Sequence, residues 1–145
     1  MSKLRVVALF SISIIIFIAS FGMNILAHEA GHYAVAKSYG LEPKLHINEP
    51  TAYAQNFWSA DSSLAYVSYQ SSTADIMFQD FLIASAGPAV NLLILALSLF
   101  AYKKTDHNSL KLFLVSPIVI SIMSVIANIY PISPTDGYIL FSYLL

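Results

Sequence analysis

The chain has 145 residues, of which 57% are hydrophobic and only 10% are charged, and its mean hydropathy is +0.69. This composition is too apolar for an ordinary soluble domain and indicates a membrane protein. The formal net charge of -1 offers no basic surface for nucleic-acid phosphates, and the absence of cysteine excludes disulfides and cysteine-ligated metal.

Three uncharged runs are long enough to cross a bilayer. They cover residues 6–27, 81–102 and 112–135. Each exceeds the ~20 residues that an α-helix needs to cross ~30 Å of hydrocarbon. A fourth run, residues 137–145, is too short to cross and indicates a half-helix.

The predicted fold class is therefore mainly α, a polytopic membrane protein with a core of three transmembrane helices and a short C-terminal half-helix. We expect one domain, residues 1–145, with spans at about 4–39, 80–102 and 111–135. The lipid bilayer is then a partner of the chain, and we expect a multi-pass protein of the cell membrane.

The start of the first span resembles a signal peptide, because Lys3 and Arg5 precede the apolar run. The run is long for a signal peptide, and residues 24–28 lack a good small-x-small cleavage site. An uncleaved helix from about Leu4 to Tyr39 is predicted, with Gly40 as its C-cap.

The first span carries His28-Glu29-Ala30-Gly31-His32, an HExxH pattern, beyond its uncharged run. This pattern is the zinc-binding signature of a large class of metallopeptidases. Residues four apart share one face of a helix, so His28 and His32 can hold one metal ion while Glu29 reaches its water. Ionisable residues inside apolar segments are costly and usually functional.

A long polar stretch, residues 41–79, separates the first two spans. Residues 45–47 and 64–69 carry β-branched and aromatic side chains, which indicates two short strands. Two interpretations stay open: an irregular loop on the membrane surface, or a β-hairpin whose free edge takes an unwound substrate segment as an extra strand. We expect His46 in this stretch, and His107 later in the chain, to be solvated loop residues.

The second span combines small residues with one amide. Residues 84–87 and Ala89 allow close approach of another helix. Asn91 lies one turn from Gly87 on the same face, and its amide needs a partner in hydrocarbon. Asn91 either bonds across helices or lines a polar site.

The end of the third span predicts a second polar position. Pro131 and Pro134 interrupt the helix, and irregular backbone at membrane depth is tolerated only beside protein or a water-filled cavity. A zinc ion with two histidines needs a third protein ligand, which leaves the fourth position for water. With three crossings Asp136 lies on the same side as the HExxH pattern, so it is the predicted third ligand, and Asp80 is the alternative.

Three motifs in this order resemble the site-2 proteases, a family of intramembrane zinc metallopeptidases. They are HExxH at 28–32, Gly-Pro-x-x-Asn at 87–91, and Asn-x-x-Pro followed by Asp-Gly from 128 to 137. The resemblance implies one Zn²⁺ per chain. The implied ligands are His28, His32 and Asp136, with Glu29 as general base and with Asn91 and Asn128 positioning the substrate or the tetrahedral oxyanion.

The chain departs from the family pattern at Ser133, Thr135 and Tyr138, none of which is a ligand, and it contains no insert large enough for a PDZ domain. The implied function is cleavage of transmembrane segments in membrane-protein substrates. Three alternatives are a membrane zinc peptidase of another class, a non-proteolytic membrane protein whose zinc site binds a partner, and a structural membrane protein with a chance motif. The first would need a glutamate as third ligand, and no glutamate follows Glu49. The oligomeric state is left open.

The side of the membrane that the site faces is also left open. Five basic residues lie on the side of the N-terminus and two on the side of the HExxH pattern: Lys3, Arg5, Lys103, Lys104 and Lys111 against Lys37 and Lys44. The positive-inside rule therefore points the site away from the cytoplasm. The family resemblance implies access from the cytoplasm.

Overall fold

The structure, a computed structural model, describes residues 3–49, 64–70, 76–131 and 135–144. Its elements in these ranges are α1 (Lys3–Ser38), β1 (Lys44–Ile47), β2 (Ala65–Ser68), α2 (Ile76–Lys104), α3 (Asn108–Ile129) and α4 (Asp136–Leu144). By length and composition α1, α2 and α3 are each able to cross a membrane. These elements confirm the predicted mainly α fold with three spans and a short C-terminal helix.

The end of α1 follows from a glycine. Gly40 has a φ of 74°. Residues with a side chain rarely adopt this left-handed conformation, whereas glycine adopts it readily. Its amide bonds to the Lys37 carbonyl oxygen at 3.0 Å, and the Leu41 amide bonds to the Ala36 carbonyl oxygen at 3.3 Å. These two bonds form a Schellman motif, so Gly40 caps the helix as predicted.

The third span is shorter than predicted. The prediction extended it to residue 135, whereas α3 ends at Ile129 and Tyr130 is extended, with φ -67° and ψ 129°. The physical reason is Pro131, because a proline ring disfavours the helical conformation of the residue before it. Thr135 Oγ1 donates a hydrogen bond of 2.5 Å to the Tyr130 carbonyl oxygen and so joins the start of α4 to the end of α3.

The two strands form a small antiparallel sheet, which favours the predicted strand pair over an irregular loop. His46 lies opposite Tyr66, and Leu45 lies opposite Val67. The expectation that His46 is a solvated loop residue is wrong, because His46 lies in β1 and its ring stacks on Tyr66 with centroids 4.5 Å apart. His107 is exposed at the N-terminus of α3.

The helices are apolar outside and partly polar inside. Large apolar side chains such as Phe10, Ile15 and Phe100 are more than 60% exposed, as expected of surfaces that face lipid. Among the described residues the buried polar side chains are Asn24, His28, Glu29, His32, Asn91 and Ser121. Every one of the three spans contributes to this set, so a polar interior runs through the helix contacts.

Helix α2 packs against α1, α3 and α4. At its contact with α1, a Cβ atom added to Gly31 would lie 2.9 Å from the Ala86 carbonyl oxygen. The missing side chain therefore lets the two backbones approach closely, in agreement with the small residues of the second span. This contact brings α2 directly against the helical turn that carries the HExxH pattern.

Candidate metal centre

Helix α1 places both histidines of the HExxH pattern on its buried face. His28 is 5% exposed and His32 is 6% exposed. Their rings meet edge to face, with centroids 4.7 Å apart, and their Nε2 atoms are 3.1 Å apart. The four-residue spacing therefore directs one nitrogen of each ring at the same point, as the sequence predicts.

Asp136 meets the histidines from α4. Its Oδ2 atom lies 3.0 Å from His28 Nε2 and 3.3 Å from His32 Nε2. The position of Asp136 depends on the next residue, because a Cβ atom on Gly137 would lie 2.5 Å from the Tyr130 carbonyl oxygen at the end of α3. Only glycine allows this close approach of α4 to α3.

Asp80, the alternative third ligand, has a different partner. Its Oδ1 atom accepts a hydrogen bond of 2.8 Å from the Tyr69 hydroxyl. Burial, together with this hydrogen bond, raises the pKa of Tyr69 above its usual value, so the hydroxyl keeps its proton. The structure thus brings Asp136, and not Asp80, to the two histidines.

The three converging atoms fit a zinc ion. Their separations are 3.0, 3.1 and 3.3 Å. Tetrahedral zinc with ligands at ~2.0–2.1 Å holds neighbouring ligand atoms about 3.3–3.4 Å apart. Asp136 Oδ2 is buried and has no hydrogen-bond partner. A cation at the centre would compensate this oxygen, because a buried carboxylate oxygen without a hydrogen bond is costly.

Glycine 87 keeps the space beside the ligands free. A Cβ atom at Gly87 would lie 2.6 Å from both Cε1 and Nε2 of His28. Carbon atoms that are not bonded to each other attract best at about 3.5–4.0 Å, so any side chain here would push on the imidazole. Gly87 is therefore part of the wall of the site, a role that its Gly-Pro-x-x-Asn motif does not reveal by sequence alone.

Glu29 lies beside the same point. One ligand atom from each of His28, Glu29 and His32 can be chosen so that all three lie within 4.8 Å of one another. Glu29 is only 8% exposed. A carboxylate this close to the two ring nitrogens can contact a water molecule beside them, as a general base must.

The two predicted asparagines, Asn91 on α2 and Asn128 on α3, both contact Ser124 of α3. Asn91 Nδ2 is 2.9 Å from His28 Nδ1 and 2.5 Å from Ser124 Oγ. Asn128 Nδ2 donates a hydrogen bond of 2.9 Å to the Ser124 carbonyl oxygen. Asn91 therefore touches a predicted ligand directly, and Asn128 bonds within its own helix. Contact of either amide with substrate stays a prediction.

Sequence reasoning missed three polar residues of the interior. Asn24 Nδ2 donates a hydrogen bond of 2.9 Å to Ser121 Oγ, and both side chains are buried. Ser124 joins Asn91 to Asn128. A signal did exist for Asn24, because it lies four residues before His28 and so on the same helical face. The serines of α3 gave none, since serine is common in transmembrane helices.

A cleft lies beside the sheet. It has a volume of about 550 Å³ and is lined by Gly40, Leu41, Glu42, Lys44, Ser68, Tyr69 and Gln70. These residues follow the end of α1 and border both strands. The cleft adjoins Tyr69, the residue that bonds to Asp80 near the start of α2.

Comparison with known families gives one match. The family model of peptidase family M50 matches residues 16–107. The matched region contains the HExxH pattern and the Gly87 to Asn91 motif, and it covers more than half of the chain. No curated protein and no solved structure matches the chain significantly.

Proposed function

Because the chain belongs to peptidase family M50, a family of zinc metallopeptidases, we propose that it is an intramembrane zinc metalloendopeptidase of the cell membrane. Its substrates are transmembrane segments of other membrane proteins, cleaved to release a regulator or to clear membrane stubs. The observation that carries the proposal is the convergence of His28 Nε2, His32 Nε2 and Asp136 Oδ2 within 3.3 Å inside the helices.

His28, His32 and Asp136 would hold one zinc ion per chain. When bound, zinc supplies a Lewis acid that polarises a carbonyl oxygen and lowers the pKa of water toward ~7. Three protein ligands leave the fourth position of a tetrahedral site open, which is the arrangement of catalytic rather than structural zinc.

Glu29 moves the protons. Its carboxylate accepts a proton from the attacking water and returns it to the nitrogen of the leaving amine, as a general base and then a general acid. Burial of Glu29, which is 8% exposed, separates this transfer from bulk water. The α2 backbone at Gly87 closes the site on the side of the His28 ring.

The substrate must be extended where it is cut, because the peptide bonds of a helix are enclosed by their own hydrogen bonds. Within the described part of the chain, β1 and β2 each pair with one neighbouring strand. Each therefore offers an edge to which an unwound segment can add. The cleft between these strands and the end of α1 supports entry of the segment from this side.

The test is a Glu29→Gln variant. We expect cleavage of a reconstituted transmembrane reporter to fall by about 10²–10⁴-fold, the usual contribution of a general base, while zinc content is unchanged. Glu49→Gln is the matched control, because Glu49 lies beside a histidine and its side chain is 60% exposed. A proteomic comparison of cells with wild type and Glu29→Gln would then show accumulated membrane stubs as candidate substrates.

Two results would contradict the proposal. Full activity of metal-replete Glu29→Gln would exclude Glu29 as the base. Zinc binding by a wild-type protein that cleaves no membrane substrate, with no stubs in the proteomic comparison, would favour the alternative of a non-proteolytic protein that binds a partner through its zinc site.

The proposal also places the C-terminal end of α1 on the cytoplasmic side, against the distribution of basic residues. The cysteine-free sequence makes this testable. Cysteine at exposed Ser38, after the HExxH pattern, should react with a reagent that labels from the cytoplasm, and cysteine at exposed Asp106, between α2 and α3, should not. The reverse labelling pattern would exclude this orientation.

A further inference from the structure

His28 and His32 both direct Nε2 at the proposed metal site, but their Nδ1 atoms have different partners. His32 Nδ1 lies 2.6 Å from the Ile83 carbonyl oxygen. A carbonyl oxygen only accepts hydrogen bonds, so His32 Nδ1 carries the proton. The other nitrogen, Nε2, then has a free lone pair for a metal.

His28 has a side-chain amide in the corresponding place. The structure places Asn91 Nδ2 2.9 Å from His28 Nδ1. An amide offers either an N–H donor or an oxygen acceptor, and rotation by 180° exchanges the two without moving a neighbour. If Asn91 donated to Nδ1, a neutral His28 would carry its proton on Nε2 and would have no lone pair there for a metal.

We propose that Asn91 is a positioning residue for the metal: its side-chain oxygen accepts the His28 Nδ1 proton and so holds His28 Nε2 in the metal-binding form. This role rests on the zinc site of the proposed function. It makes Asn91 the side-chain counterpart of the Ile83 carbonyl, so that α2 supplies the oxygen that fixes each histidine.

The neighbouring serine has a hydrogen that suits this orientation. Ser124 Oγ lies 2.5 Å from the same amide atom of Asn91 and 3.3 Å from Asn128 Nδ2, which donates to it. When the amide is rotated so that the Asn91 oxygen takes the place of Nδ2, the Ser124 hydroxyl accepts from Asn128 and donates to Asn91. Hydrogen bonds in one direction along such a chain strengthen one another.

The burial of Asn91 favours a role in holding His28 over direct contact with substrate. Asn91 is 0% exposed, and its contacts link His28 on α1 to Ser124 on α3. A side chain in this position acts through the ligand that it holds. Partners of this kind fix the orientation of a ligating imidazole, and their loss typically lowers metal affinity by about 10–100-fold.

Two substitutions of Asn91 test whether its side chain accepts a hydrogen bond from His28 Nδ1 or donates one to it. Asn91→Leu keeps the approximate size but has no polar atom. Asn91→Asp has only acceptor oxygens when ionised, so it keeps the bond if His28 Nδ1 is the donor and loses it if His28 Nδ1 is the acceptor. The matched control is Asn24→Leu, because Asn24 is 3% exposed and also bonds to a serine of α3.

The experiment measures zinc release from the full chain to a competing chelator and the visible absorption spectrum of the cobalt(II) form. We expect zinc affinity to fall about 10–100-fold in Asn91→Leu, together with a changed cobalt spectrum. Asn91→Asp should bind zinc at least as tightly as wild type, and Asn24→Leu should match wild type in both readouts.

Wild-type zinc affinity in folded Asn91→Leu would overturn the proposal. So would loss of zinc from folded Asn91→Asp, which is the result expected if the amide donates to His28. Should Asn91→Leu fail to accumulate, Asn91→Asp alone decides between these outcomes. A wild-type chain without zinc would instead contradict the proposed function, and normal zinc affinity in Asn91→Leu would leave that function intact.

Discussion

Two clusters of the molecule pair histidine with a carboxylate, and they differ in what the ring nitrogens face. In the sheet, His46 Nδ1 lies 2.6 Å from Glu49 Oε2 and His46 Nε2 lies 2.8 Å from Ser68 Oγ. Between the helices, the Nε2 atoms of His28 and His32 face each other and the Asp136 carboxylate. The sheet histidine has a partner on each nitrogen, whereas the helix histidines direct one nitrogen each at a shared point.

The two clusters also differ in how far their side chains are exposed to water. The Glu49 side chain is 60% exposed and the His46 side chain 23%, so water solvates the charge of that pair. The Asp136 side chain is 17% exposed, and the two helix histidines are 7% and 8% exposed. A carboxylate with little access to water needs a cation, and lone pairs that converge supply its ligands. Contact between histidine and carboxylate alone therefore does not identify a metal site.

The largest expected effect is loss of zinc from the helix cluster. Asp136→Ala and His32→Ala each remove one of three ligands, so zinc should fall from one ion per chain to background. His46→Ala should keep the full amount, because neither nitrogen of His46 faces a second converging ligand. Elemental analysis of the purified chain measures this.

Retention of zinc in Asp136→Ala would show that Asp136 is not a ligand. Loss of zinc from folded His46→Ala would show that His46, too, contributes to metal binding.

A smaller effect is expected where the wall of the helix cluster is altered and its ligands are kept. Gly87→Ala places a Cβ atom 2.6 Å from His28 Nε2. Overpacking costs about 1–3 kcal/mol, and the ring can relieve it by moving out of position, so zinc affinity should fall by about tenfold. Competition with a chelator measures this, and the histidines themselves are unchanged.

Gly22→Ala is the control for Gly87→Ala, because a Cβ atom at Gly22 meets nothing within 4 Å. We expect wild-type zinc affinity in this variant. Equal losses in the two variants would show that the effect comes from the glycine backbone and not from the space beside His28.

The contrast between the clusters also shows what the sequence determines. His28, Glu29 and His32 were predictable because a helix fixes the geometry of residues four apart. Asp136 required only the number of crossings and the choice of an acid near a broken helix. Ser124 was not predictable, because its contact with Asn91 depends on the rotation of α3 about its axis.

In the sheet, the local structure was predictable from the sequence but the contacts between distant residues were not. The residue types of residues 45–47 indicated a strand, yet the partners of His46 were not evident. Ser68 lies 22 residues away and meets His46 only through the register of β1 with β2. The end of the third span was placed too late for a different, local reason, because the effect of Pro131 on the residue before it ends the helix earlier than residue 135.

The smallest effect is expected from Glu49→Gln in the sheet cluster. The glutamine side-chain oxygen can still accept the His46 Nδ1 hydrogen, so the variant removes the charge and keeps a neutral hydrogen bond. An exposed ion pair contributes about 0–1 kcal/mol, and stability should change by no more than this in a thermal unfolding experiment. Zinc content should be unchanged. A larger loss of stability would mean that the Glu49 charge is important to the sheet although its side chain is exposed to water. The different exposure of Glu49 and Asp136 would then not explain the difference between the two clusters.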